Sequence, residues 1–125
     1  MHLFAYGTLM DPAVWNRVAQ EECRCEFAAL ADHEARRLAG HPFPGLVEAA
    51  GGRTPGLIYY DVSAAAMARL DAYEDDFYRR VSVVVHCRNG AAVEAQVYLM
   101  AEAERRIVLP ERWIPDFPVL GERWS

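Results

Sequence analysis

Asn89-Gly90 lies between two runs of alternating apolar residues, and this dipeptide is a strong hairpin signal because both central residues of a type I′ turn need positive φ. The flanking runs, Tyr78 to Arg88 and Ala91 to Met100, are read as two antiparallel strands. Their period of two puts Val81, Val83, Val85 and Cys87 on one face of the first strand, and Val93, Ala95, Val97 and Leu99 on one face of the second. A lone hairpin is marginal in water, so this apolar face needs further elements to cover it. Residues 2–6 and Gly56 to Val62 read as strands, and 23–38 is a strand-like mixture. His41-Pro-Phe-Pro-Gly-Leu46 is expected to break regular structure, and Gly51-Gly52 to turn. One helix is expected from Asp11-Pro12 to about Gln20, burying Val14, Trp15 and Val18, and another from the cap Ser63 to about Asp75. Beyond Met100 the pattern weakens, and Trp113, Phe117 and Trp124 are expected to pack on the body as a tail. The sum is one α+β domain over residues 1–125, with five or six strands, two helices and an antiparallel sheet curled towards a barrel.

Composition narrows the function. The net charge is −5, and the 13 basic residues are all arginine and scattered along the chain, which argues against nucleic acid or an anionic membrane as partner. The chain opens directly into a strand pattern with no signal-type segment, so a cytoplasmic setting is expected. Cys23, Cys25 and Cys87 fit buried thiols better than a redox or zinc pattern. Ser63, Ser82 and Ser125 sit in no G-x-S-x-G elbow, and His2, His33, His41 and His86 show no ligand spacing. Residues 51–56 lack the dinucleotide order, and without lysine there is no phosphate loop. An active site free of metal and cofactor is expected. Oligomeric state is left open.

Leu70-Asp-Ala-Tyr-Glu-Asp-Asp-Phe-Tyr-Arg-Arg80 carries the clearest chemistry. At about 100° per residue, Ala66, Met67, Leu70, Tyr73, Glu74 and Phe77 share one stripe of the helix. Glu74 thus lies on the apolar face, whereas Asp71 sits at its border and Asp75 and Asp76 turn towards solvent. Desolvation and the C-terminal end of the helix dipole both raise the pKa of such a carboxylate, towards the range useful to a general base. The alternative is an ion pair with Arg79, Arg80 or another arginine. A second spot is Tyr6-Gly7-Thr8-Leu9, where a strand runs through glycine into a helix and leaves backbone N–H groups free for a small carboxylate. The plain alternative there is a turn using glycine for positive φ.

Tyr6-Gly-Thr-Leu9, Phe43-Pro-Gly-Leu46, Gly56-Leu-Ile-Tyr59 and Leu70-Asp-Ala-Tyr-Glu74 followed by Tyr78-Arg79-Arg80, in that order, resemble the γ-glutamylcyclotransferase-like superfamily. The closest look is to its branch of small bacterial and plant avirulence-induced-gene-like proteins. The resemblance covers roughly residues 2–100. It implies a small mixed or antiparallel β-barrel with flanking helices, and an acyltransferase that closes a γ-glutamyl amide to 5-oxoproline and releases the amine. Carried onto this chain, it makes Glu74 the catalytic acid/base and Tyr6, Gly7, Thr8, Leu9 and Met10 the binding loop for a small-molecule γ-glutamyl substrate. Arg79, on the face of Val81 and Val83, and Tyr98, late in its strand, are the further binding candidates. Many members carry glycine after the glutamate, where this chain has Asp75. A non-catalytic γ-glutamyl or carboxylate-binding module is the rival reading, and an interaction domain using the Trp113 to Trp124 tail is a third.

Overall fold

The computed structural model describes residues 1–124; Ser125, one of the serines weighed as a nucleophile, lies outside the described residues. The order of elements is β1 (Leu3–Ala5), α1 (Pro12–Ala19), β2 (Cys25–Leu38), β3 (His41–Tyr59), α2 (Ala64–Glu74), β4 (Tyr78–Cys87), β5 (Ala92–Met100) and β6 (Val108–Arg112). Short 3-10 turns occupy Thr8–Met10, Asp75–Phe77 and Glu102–Ile107. The sheet runs β3-β1-β5-β4-β2, and β2 pairs back onto β3, so five strands close into a barrel to which β6 adds at β2. Closure leaves those strands no open edge over the closed region. The barrel is mixed because β1 and β5 are parallel, at Leu3↔Gln96, while the other pairings are antiparallel.

The hairpin forms as its turn dipeptide dictates, in register from Tyr78↔Met100 to His86↔Ala92. Val85, Cys87, Ala95, Val97 and Leu99 are buried with Phe4, Leu30, Leu46 and Ile58 in a core that draws on every strand of the barrel. A second core lies between the barrel wall and the helices. There Trp15 stacks on Tyr59 with ring centroids 3.7 Å apart, and Ala66, Met67 and Leu70 are buried. Each large side chain so buried stabilises the fold by about 1.5–3 kcal/mol relative to exposure. Both helix starts follow from their caps: Asp11 Oδ1 accepts from the Ala13 N–H at 3.0 Å, and Ser63 Oγ accepts from the Ala66 N–H at 3.0 Å.

Two expectations need correction. His41 to Leu46 does not break the sheet; it is the first part of β3, paired with β2 at Arg36↔Gly45 and Ala35↔Leu46. Proline is tolerated because β1 pairs with β3 only at 57–59, so this stretch is an edge where a missing N–H leaves no ladder bond unmade. Its carbonyls are used: Pro42 O accepts from Trp113 Nε1 at 2.9 Å, and Pro44 O from the Tyr78 hydroxyl at 2.6 Å. Gly51-Gly52 is likewise a bulge within β3 rather than a turn between strands. Pairing jumps from Ala31↔Arg53 to His33↔Glu48, and Asp32 Oδ1 accepts from the Gly51 N–H at 2.9 Å. The tail does pack on the body, with Trp113, Phe117 and Trp124 half-buried against the helix-side core.

Candidate active site

A cavity of about 310 Å³ opens between the end of β1, the Phe43-Pro44 segment and the C-terminal end of α2. Its floor is the loop that follows β1. Because the 3-10 turn bonds Met10 N–H to Gly7 O and Asp11 N–H to Thr8 O, the N–H groups of Gly7, Thr8 and Leu9 precede the first internal bond. Among the described residues these three N–H groups donate to no protein acceptor. Gly7 is not there for positive φ, since its φ is −123°. Space is at issue instead: a Cβ at Gly7 would lie 2.9 Å from Pro44 Cγ, so the loop and the Phe43-Pro44 strand are close enough that a methyl group there would displace the Pro44 ring.

Glu74 faces this cavity from the last residue of α2. Burial alone raises its carboxyl to about 7. The alternative of an ion pair with an arginine is not what the structure has. The Glu74 carboxylate makes no hydrogen bond or ion pair among the described residues, and Arg80, one of the arginines expected to pair with it, is taken. Arg80 Nε and Nη2 donate to the two oxygens of Asp71 at 2.9 and 3.2 Å, and Nη1 donates to Gln96 Oε1 at 3.1 Å. Three of the four tyrosines that line the cavity are committed as well. Tyr6 donates to Tyr98 O at 2.6 Å, Tyr78 to Pro44 O at 2.6 Å, and Tyr98 to Asp71 Oδ1 at 2.7 Å. Burial holds all three hydroxyls well above the usual phenol range, so they stay protonated donors. The result is one desolvated carboxylate with no cation beside it, facing a row of free N–H groups.

The structure thus brings Tyr6, Gly7, Thr8, Leu9, Glu74 and Tyr98 to one cavity. It does not bring Met10 or Arg79 there. Met10 is buried in the helix-side core, because the 3-10 turn rotates it inward from the loop surface. Arg79 is exposed, because strand alternation turns Tyr78 to Pro44 and Arg80 to α2 and leaves Arg79 on the other side of β4. Asp71, read from the helix wheel as a solvated border residue, is instead tied by Arg80 and Tyr98. Tyr78, Phe43, Pro44, Tyr73, Asp75 and Phe77 also line the cavity. The alternation of β4 marks Tyr78 and Arg80 as sharing a face, and that signal points to Tyr78 once α2 is known to cover it. Burial raises the thiols of Cys23, to about 11, and Cys25, so neither is a ready nucleophile. No group of three or more His, Cys, Asp or Glu side chains gathers to hold a metal ion among the described residues. No helix there is long and apolar enough to cross a membrane.

The loop is stabilised from within. Replacing Tyr6 with phenylalanine removes the buried donor to Tyr98 O, and a loss of about 1–2 kcal/mol in unfolding free energy is expected, measured by urea denaturation.

A closed five-stranded mixed barrel, with the end of a helix placing a buried, unpaired carboxylate in one cavity with a glycine loop, defines a class of small barrel proteins. Within that class the chain belongs to the gamma-glutamyl cyclotransferase, AIG2-like family, whose model matches residues 3–115. It is similar to protein AIG2 C of Arabidopsis thaliana, 29% identical over 137 residues that cover 99% of this chain and 82% of the relative. An Arabidopsis thaliana protein solved in solution superposes with a TM-score of 0.76 at 26% identity, covering 90% of this chain and 68% of the other. A solved gamma-glutamyl cyclotransferase shares the fold, with a TM-score of 0.66 at 15% identity over 80% of this chain and 66% of its own.

Proposed function

We propose that the protein is a γ-glutamylcyclotransferase that converts a γ-glutamyl amide into 5-oxoproline and a free amine, with Glu74 as general acid/base. The observation that carries this reading is Glu74 itself: a carboxylate raised to about 7 by burial, unpaired, on the wall of a cavity. A carboxylate left in that state costs the fold stability as it ionises, groups so perturbed gather at functional sites, and a pKa near the working pH is what proton transfer needs.

The substrate's own α-amine is the nucleophile, which is why no serine, cysteine or metal is required. The free N–H groups of Gly7, Thr8 and Leu9 hold the α-carboxylate and fold the γ-glutamyl group so that its α-nitrogen faces the γ-carbonyl. Such orientation supplies several kcal/mol of the barrier. The α-nitrogen enters as ammonium, and Glu74 removes a proton so that the lone pair can attack. Glu74 hands that proton to the departing nitrogen and, again a carboxylate, takes a second one from the α-nitrogen of the tetrahedral adduct. Both protons end on the departing nitrogen as the C–N amide bond breaks, and Glu74 returns to its starting state. Tyr98 closes the cavity wall next to Glu74 and keeps its hydroxyl on Asp71. The family match and the shared fold of a solved gamma-glutamyl cyclotransferase support the same reading. A small γ-glutamyl substrate and a cytoplasmic setting go with it.

The pH profile tests this. The base form of Glu74 is needed, so kcat/KM for 5-oxoproline release is expected to rise with pH and to show an ascending limb near pH 7. An ascending limb near pH 4.5 would mean that the essential carboxylate is a solvated one and not Glu74. A γ-glutamyl ligand that raises the melting temperature without ever releasing 5-oxoproline would establish the binding-module reading in its place.

A further inference from the structure

The cavity is unusual in the charge it offers the part of a substrate that projects from it. Among the described residues its lining holds two acids, Glu74 and Asp75, and no basic residue. Asp75 also lines the open polar groove next door, between α2 and the strands, whose other charged residues are Asp71 and Arg80. There Arg80 and Asp71 neutralise one another through two hydrogen bonds, which leaves Asp75 as the uncompensated charge of the groove and, beside the buried Glu74, as the solvent-facing acid of the cavity. Asp75 is exposed, its backbone N–H donates to Asp71 O at the end of α2, and its carboxylate makes no hydrogen bond or ion pair among the described residues. Neither other basic group nearby lines the cavity: Arg79 is on the far side of β4, and His41 packs against Phe43 and Phe77 from outside. Around Asp75 the cavity wall is aromatic. Phe43 and Phe77 meet edge to face with centroids 5.7 Å apart, and Tyr73 is 44% exposed beside them.

A free carboxylate set among aromatic faces is the arrangement that recognises an organic cation, through Coulomb attraction and the negative faces of the rings. The backbone points to the same residue. Asp75 has φ +55° and ψ −152°, a conformation essentially reserved for glycine, so aspartate is held there against local strain.

Resting on the cyclotransferase reading, we infer that Asp75 determines specificity, selecting γ-glutamyl amides whose leaving amine carries a second, positively charged nitrogen and disfavouring those whose leaving group carries a carboxylate. With the γ-glutamyl group on the Gly7 to Leu9 loop and the scissile bond at Glu74, the leaving group extends past the next residue of the chain, which is Asp75. A cation there gains an ion pair, and a carboxylate there meets an unscreened like charge.

Three substrates of matched length test this: the γ-glutamyl amides of 1,4-diaminobutane, butylamine and 4-aminobutanoate, compared by kcat/KM for 5-oxoproline release. The expected order is cationic, then neutral, then anionic, with the cationic substrate favoured over the neutral one by about fivefold to tenfold at low salt. In Asp75→Asn and Asp75→Gly that ratio is expected to fall to near one, with the glycine variant also melting higher because the strain is gone. Two variants guard against a folding defect in either. An unchanged ratio in both, or a wild type that favours the anionic substrate, overturns the assignment of Asp75 while leaving the cyclotransferase intact. Absence of 5-oxoproline from all three substrates is a different failure, which removes the cyclotransferase reading and this inference with it.

Discussion

Glu74→Gln is expected to lower 5-oxoproline release by about 10²–10⁴-fold and, at the same time, to make the folded protein more stable above neutral pH. The two effects have one cause. In the unfolded chain the carboxyl of Glu74 titrates near 4.5, whereas burial raises it to about 7 in the fold. The unfolded state therefore releases its proton first as pH rises. The stability that protonated Glu74 allows is fully present below pH 4.5 and is lost as pH rises through 7. At pH 8 the wild type carries this loss and the glutamine variant does not. The variant should gain roughly 2–3 kcal/mol there, the lower figure applying because the cavity is open to solvent, and little at pH 4.5. Melting curves at the two pH values read this directly. A variant that is inactive and gains no more over wild type at pH 8 than at pH 4.5 would mean that the side chain is not held desolvated. A variant that keeps its activity would place the base elsewhere.

This prediction was within reach of the sequence because it depends on one helical phase. Ser63 fixes where α2 begins, and about 100° per residue then carries Glu74 to the face of Met67 and Leu70. The same phase misjudged Asp71. A wheel reports direction from the helix axis and is silent on what stands opposite, here Arg80 and Tyr98 from neighbouring strands. The hairpin was legible for a similar reason, since Asn89-Gly90 fixes the register locally and alternation does the rest. His41 to Leu46 was not legible, because proline forbids a central strand but allows an edge, and which stretch is an edge is decided by where β1 pairs, more than ten residues away along β3. Met10 failed for want of the 3-10 turn, which four residues of sequence do not distinguish from an open loop. The strand pattern reached a sheet curled towards a barrel, but closure through the pairing of β2 with β3 is a property of twist and length, and the closed barrel entered through the family resemblance.

Gly56→Ala is expected to be the most destabilising single-methyl addition at the glycines of the resemblance motifs, and the reason lies at that seam. At Gly56 the third strand is held from both sides: Ala28 of β2 lies opposite Gly56, and the next residue, Leu57, pairs with both Phe27 and Ala5. A Cβ on Gly56 would collide with the backbone oxygen of Ala5, and would stand 2.7 Å from Phe4 Cζ. Neither neighbour can yield cheaply, since the oxygen belongs to β1 and the ring fills the barrel core. A loss of about 2–3 kcal/mol is expected, read as a fall in melting temperature of roughly 10 °C. Gly7→Ala provides the contrast. Its Cβ meets only the Pro44 ring, at 2.9 Å, and that ring lies at a cavity wall with open space beside it. Stability should fall by less than about 1 kcal/mol there, but the loop of free N–H groups must shift, so KM should rise well before the protein loses its fold. If instead both variants lose stability alike and neither changes KM in the folded protein, then the close approach at Gly7 serves only packing. The carboxylate-holding role of the loop would then fall, while the proton-transfer role of Glu74 would stand on its own measurement.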